Sequence, residues 1–153
     1  MMEELNIDSI PTTYDEVVAL KDKLGPDQYL IACDEINSWS MAPLFHSLGG
    51  VYTNEDYTKA SGYINGEDSV KALETIVEWN DEGIIGPCIT GGKPDVANGL
   101  YDGNYLFGYQ GPWFFTNDDE ENLAKVEVGL LPAGKAGSLT VNGGEDLVMF
   151  ESS

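Results

Sequence analysis

Arginine is absent from this 153-residue sequence, and seven lysines face 27 acidic residues for a net charge of −20. Without a guanidinium fork there is no bidentate grip on phosphate. The charge repels DNA and RNA, so no nucleic-acid partner is expected, and it disfavours an anionic membrane surface. It favours neutral or cationic ligands. Histidine is nearly missing: His46 stands alone, which removes most zinc sites and most His-based triads. The two cysteines, Cys33 and Cys88, match no metal or redox spacing and are expected as buried, unbridged thiols. Apolar runs long enough to cross a bilayer are lacking.

Chemical motifs are sparse too. Gly91-Gly92-Lys93 runs into Pro94 instead of the Ser or Thr that a phosphate loop requires. No Gly-x-Ser-x-Gly elbow occurs. Asp118-Asp119-Glu120-Glu121 lacks the twelve-residue spacing of a calcium loop. No metal and no cofactor are expected. The first five residues carry no basic segment followed by an apolar one, so no signal peptide is read there. Leu147 to Ser153 starts as a strand and stops without a turn, so the sequence reads as part of a longer chain.

What is present is an apolar fraction of 42%, enough for one domain with a sizeable core. Thr13 and Glu16 form a capping-box pattern that opens a helix with Val17, Leu20 and Leu24 on one face, stopped by Gly25-Pro26. Tyr29 to Ala32 reads as a strand. Trp39 to Leu48 reads as a helix with a stripe of Met41, Leu44, Phe45 and Leu48, ended by Gly49-Gly50. Residues 51 to 66 form a surface excursion with turns at Asn54 and Asn65-Gly66. The strongest helix spans Asp68 to Asp81, with Val70, Leu73, Ile76 and Val77 as its expected buried stripe. A short helix follows Pro94, with Val96 and Leu100 inward. Tyr105 to Tyr109 alternates as a strand that Gly111-Pro112 ends. Val126, Val128 and Leu130 alternate as another strand, and a final strand follows Gly143-Gly144-Glu145. Strands and helices interleave without internal repeat, which favours an α/β layer domain.

The tryptophans carry the functional reading. Trp39 follows a polar loop, and Trp113 follows a strand and a Gly-Pro turn. An aromatic face on rigid backbone, among Asp, Glu and Asn side chains, suits a polyol: the ring covers C–H surface and the polar groups take hydroxyl protons. Trp79, in the middle of the long helix, reads as packing.

Four pieces in order carry a resemblance. They are Ile10-Pro11-Thr12-Thr13-Tyr14-Asp15-Glu16; Trp39 through Pro43-Leu44 to Gly49-Gly50; Leu100 to Trp113, ending in Gly111-Pro112-Trp113; and Leu130-Leu131-Pro132 with Gly143-Gly144. Together they resemble the second lobe of family 1 extracellular solute-binding proteins, the maltose-binding-protein-like receptors of sugar ABC transporters. The third piece departs from the family pattern, with Asn104 in the usual Lys place and Leu106-Phe107 in the Ala-Met places.

The resemblance implies an α/β fold, a periplasmic-binding-protein type II lobe with a mixed sheet flanked by helices, incomplete because only one lobe is present. Residues 1–153 would be one continuous C-terminal-type lobe with its ends near the two hinge crossings. Carried over by position, Trp39 and Trp113 stack on sugar, Glu35 and Asn37 lie on the loop before Trp39, and Gly144 and Glu145 lie near the cleft. The implied partners are a saccharide, the opposing lobe and the membrane permease of an ABC transporter. The implied parent is a monomer, extracellular and lipid-anchored or periplasmic, and not an enzyme. Three alternatives stay open: a polyamine or other solute bound by the same fold, a carbohydrate-active enzyme using Asp34 or Glu145, and a docking domain without a small ligand.

Overall fold

The computed structural model describes residues 1–116 and 119–143. Thr13 opens α1 (Tyr14–Val18) with a reciprocal capping box: its hydroxyl accepts from the Glu16 amide, and the Glu16 carboxylate accepts from the Thr13 amide. Thr12 donates to the same carboxylate from its amide and its hydroxyl. These bonds, led by the Thr12 amide, hold the Glu16 carboxyl below its usual value. The helix is shorter than its sequence pattern suggests. Lys21–Lys23 tighten into a 3-10 turn, leaving Leu20 and Leu24 half-buried while Tyr14 and Val17 enter the core.

β1 (Tyr29–Ala32) and β2 (Tyr105–Gly108) form a parallel pair in the register Tyr29↔Tyr105, Ile31↔Phe107 and Ala32↔Gly108. A parallel bridge from Ile31 to Ile85 widens the sheet on the other side of β1. β1 is therefore flanked on both edges, and Leu30, Ile31 and Ala32 are fully buried, as an inner parallel strand requires. The result is a small parallel sheet flanked by helices, narrower than the mixed sheet expected. The pairing continues beyond β2, where the Tyr109 amide donates to the Ala32 carbonyl at 3.3 Å.

α2 (Ala42–Ser47) begins later than expected, after turns that carry Trp39, and buries Leu44 and Phe45. α3 (Glu67–Asp81) has the expected length but a different rotation. Its buried residues are Ser69, Ala72 and Ile76, whereas Val70, Leu73 and Val77 face solvent. The small side chains let α2 approach closely, and the Ser69 hydroxyl donates to a nearby carbonyl and accepts from the Val51 amide at 3.0 Å. Ile76 alone of the expected stripe is in the core.

α4 (Val96–Tyr101) is capped by Asp95, which accepts from the Asn98 amide at 3.1 Å; Pro94 therefore precedes the cap. α5 (Glu120–Leu123) starts at Asp119, which accepts from the Asn122 amide at 2.8 Å. Glu120 and Glu121 are thus a helical first turn, and Asp118 lies outside the described residues. The expected strand at Val126 to Leu130 is not formed. Val128 and Leu130 are 71% and 88% exposed, and alternation without a neighbouring edge makes no ladder. The expected final strand lies outside the described residues.

Farther along, residues 131–139 return to the body. Ala133 pairs parallel with Thr13, and Ser47 Oγ exchanges hydrogen bonds with the Leu139 backbone at 2.9 and 3.0 Å. Cys33 and Cys88 are free, buried thiols, and burial pushes the Cys33 thiol far up. His46 Nδ1 bonds the Gly50 carbonyl at 2.8 Å, and the ring contacts Phe45 and Tyr52, which accounts for it as a packing residue.

Candidate functional site

Loops that leave the carboxyl ends of parallel strands are where an open α/β sheet presents ligands. Here two such loops emerge side by side. One runs from Cys33 to Met41 after β1, the other from Tyr109 to Phe115 after β2. Trp39 sits on the first and Trp113 on the second, 48% and 49% exposed. The structure therefore brings both indoles to one end of the sheet.

The first loop is shaped by Asn37. Its Oδ1 accepts from the Trp39 amide at 2.9 Å and the Ser40 amide at 2.7 Å, and its Nδ2 donates to Glu35 Oε2 at 3.1 Å. An Asn side chain that mimics backbone in this way fixes a tight turn. Glu35 and Asn37 are both exposed on this loop. Trp39 also lies hard against Gly143, where a Cβ would collide with the ring. Gly144 and Glu145, the next residues, lie outside the described residues.

The second loop is a 3-10 turn, Pro112–Phe115, whose Phe114 is buried and anchors it. The Trp113 ring folds back over Gly111, and here too a Cβ would strike the ring. Trp113 Nε1 donates to Gln110 Oε1 at 3.2 Å, and Gln110 Nε2 donates to Asp34 Oδ2 at 3.0 Å. One face of the indole is thus backed by main chain, its polar edge is bonded, and the rest is open.

Beneath this rim Tyr109 donates its hydroxyl to Tyr14 Oη at 2.9 Å, and Tyr14 donates to the Pro43 carbonyl at 3.3 Å. Burial pushes both phenols well above their usual range. This line ties the end of β2 to α1 and to the start of α2. Trp79 stands apart, with its ring centroid 5.6 Å from that of Tyr14 and its carbonyl accepting from the Ile84 and Ile85 amides. It is a packing residue, as expected.

A hollow of about 200 Å³ opens at this end, lined by Asp34, Asp95, Val96, Gln110, Trp113 and Phe114. That is below the roughly 300–1,000 Å³ of pockets that enclose a small molecule. A larger hollow, about 570 Å³, lies elsewhere, over Val70, Leu73 and Val77 on the outer face of α3. It has no aromatic ring, and its polar lining is carboxylate alone. The strand-end hollow holds the Trp113 indole, an amide and two carboxylates, and Trp39 stands outside its lining. Among the described residues no group of three or more His, Cys, Asp or Glu side chains is placed to hold a metal ion.

Gln110 and its partnership with Asp34 are not among the candidate site residues that the sequence offers. A signal was present, because Tyr29-Leu30-Ile31-Ala32-Cys33-Asp34 and Tyr105-Leu106-Phe107-Gly108-Tyr109-Gln110 are parallel in pattern. Each places a polar residue two positions past its strand.

No protein-family model and no curated protein matches the chain. Solved structures do. A maltose-bound MalE3 of T. maritima superposes with a TM-score of 0.68 at 22% identity, over 89% of this chain and 37% of that one. An ABC transporter solute-binding protein of Thermotoga lettingae bound with α-D-tagatose gives 0.68 at 19% identity, over 89% of this chain and 38% of that one. The likeness is one of fold, and the chain spans less than two fifths of the length of either structure.

Proposed function

We propose that this chain is one lobe of a two-lobed solute-binding protein and that its strand-end face binds a mono- or oligosaccharide for uptake. The observation that carries the reading is the pair of half-exposed indoles on loops that leave adjacent parallel strands, with Glu35 and Asn37 on the loop of Trp39 and with Asp34 and Gln110 hydrogen-bonded in line to Trp113. Trp39 and Trp113 cover the C–H faces of a sugar, and Glu35 and Asn37 serve its hydroxyls. Gly144 and Glu145 remain candidates on the same side. The shallow hollow fits a half-site that an opposing lobe completes, and the fold likeness over part of two longer solute-binding structures supports that. On this reading residues 1–153 are one continuous lobe of an extracellular or periplasmic monomer. It hands its ligand to a membrane permease and does no chemistry on it.

Because one lobe offers half of the contact surface, the chain binds sugars more weakly than about 10 μM, roughly −7 kcal/mol. The test is a titration of the chain with maltose, a longer glucan and tagatose, following the three indole N–H signals by NMR. The Trp39 and Trp113 signals move together and Trp79 does not. No movement with any sugar, or movement of Trp79 alone, overturns the reading. The excess of carboxylates favours a second reading, a polyamine ligand, and spermidine in the same titration separates the two.

A further inference from the structure

We infer that Asp34 and Gln110 are positioning residues for the Trp113 indole, acting in line: Asp34 orients the Gln110 amide, and the amide holds the indole. The purpose of this line rests on the function proposed above, but its existence does not. Register puts the partners together. β1 and β2 pair Ala32 with Gly108, so two residues further on Asp34 comes beside Gln110. The amide then spans from the β1 loop to the β2 loop, donating 3.0 Å to Asp34 Oδ2 and accepting 3.2 Å from Trp113 Nε1.

The chemistry of the three groups makes this line directional. An ionised carboxylate only accepts, and an indole N–H only donates. An amide between them satisfies both neighbours in one orientation alone, with its NH₂ toward Asp34 and its oxygen toward Trp113. Reversed, it would set donor against donor and acceptor against acceptor. The carboxylate therefore selects the rotamer that presents an acceptor to the indole, without touching the indole itself. The turn supplies the second constraint, since the ring lies against Gly111 with no room for a Cβ. Backbone contact fixes the plane of the ring, and Gln110 fixes its rotation.

Asp34→Asn tests the line. Asparagine keeps the shape of aspartate but offers both a donor and an acceptor, so it no longer selects the amide orientation. In the full chain, with indole signals assigned by single Trp→Phe changes, the exchange of the Trp113 N–H with water should rise about fivefold in D34N. That is the scale of one net hydrogen bond. Q110A should do at least as much, and D34N added to Q110A should do nothing further, because Asp34 acts only through the amide. The Trp79 signal stays in place in every variant and reports an intact core. An unchanged Trp113 signal in D34N overturns the proposal, and so does a D34N effect that persists in Q110A. No sugar enters this measurement, so failure of the sugar titration leaves its outcome standing.

Discussion

The strand-end rim and the outer face of α3 expose large apolar side chains to nearly the same degree. Trp39 and Trp113 are 48% and 49% exposed, and Val70, Leu73 and Val77 are 43%, 47% and 58% exposed. What separates the two regions is support. At the rim, hydrogen bonds fix the Trp39 backbone and the Trp113 indole nitrogen, and the glycine backbone lies against each ring. On α3 the three aliphatic side chains have only carbon to offer and no directional partner to set their rotamers. Exposure by itself therefore does not mark a recognition surface. An exposed ring held in one orientation has less conformational entropy left to lose on binding, which is why the proposed function rests on the rim and not on α3.

The largest expected effects separate buried Ile76 and half-buried Trp79 from both exposed surfaces. Ile76→Ala on the inner side of α3 should cost about 2–5 kcal/mol, and Trp79→Ala about 3 kcal/mol, read from urea unfolding of the chain. Trp113→Ala should cost less than about 1 kcal/mol of stability, as an exposed side chain does. A Trp113→Ala cost equal to that of Trp79→Ala would move Trp113 into the core and dissolve the contrast.

Alkaline pH acts next, on the floor of the rim. Tyr109 and Tyr14 bond each other out of water, and burial raises both phenols. A group whose folded value is raised contributes stability that is complete below the unfolded value, about pH 10, and is lost as pH rises above it. Each phenol should cost about 1.4 kcal/mol one pH unit above that value. Tyr109→Phe should flatten this loss, as measured by unfolding from pH 9 to 11. An unaltered slope in Y109F would show that the pair does not brace the rim.

Much of the supporting frame was legible from the sequence, and the reason is locality. The capping box, both strands and the span of α3 depend on residues within a turn or a strand of each other. The rotation of α3 was not legible, because hydropathy favours large aliphatics while the α2 contact demands small ones. Ser69 and Ala72 won the inner face by size, and the Ser69 hydroxyl is satisfied by nearby backbone. The strand expected at Val126 to Leu130 failed for the opposite reason: its alternation is local, but a strand needs a neighbour. At the candidate site, the placement of the two tryptophans on exposed loops was legible because Gly-Pro and polar-loop contexts announce it. The Asp34–Gln110 bond was not, because it joins residues 76 apart, and the matching polar positions after the two strands become partners only once the strand register is known.

A smaller effect belongs to α1, which carries Tyr14 under the rim. Thr13→Ala removes one side of the capping box and should cost about 1 kcal/mol. The other side is sensitive to acid. Glu16 has a lowered carboxyl value, so its contribution is present above the unfolded carboxylate value and is lost as pH falls through the folded one. Glu16→Gln should remove that acid sensitivity from α1 while leaving α3 unaffected, measured by unfolding between pH 3 and 6. An undiminished acid dependence would place the titrating group elsewhere.

The smallest effect is the sharpest test of the comparison. Val77→Lys puts a cation on the outer face of α3, three residues after Glu74 and four before Asp81. If that face is free, three terms act together. Lysine forms helix more readily than β-branched valine. Pairs with Glu74 and Asp81 add about 0.2–0.5 kcal/mol each at low salt. The valine removed was already 58% exposed, so little burial is given up. The sum should be neutral to slightly stabilising, by no more than about 1 kcal/mol, with a gain that fades as salt screens the pairs. Unfolding at two protein concentrations and two salt concentrations checks it. A destabilisation above about 1 kcal/mol that grows with protein concentration would mean that the aliphatic face is covered by another copy in solution. The strand-end rim would then be the only one of the two surfaces left open to a ligand.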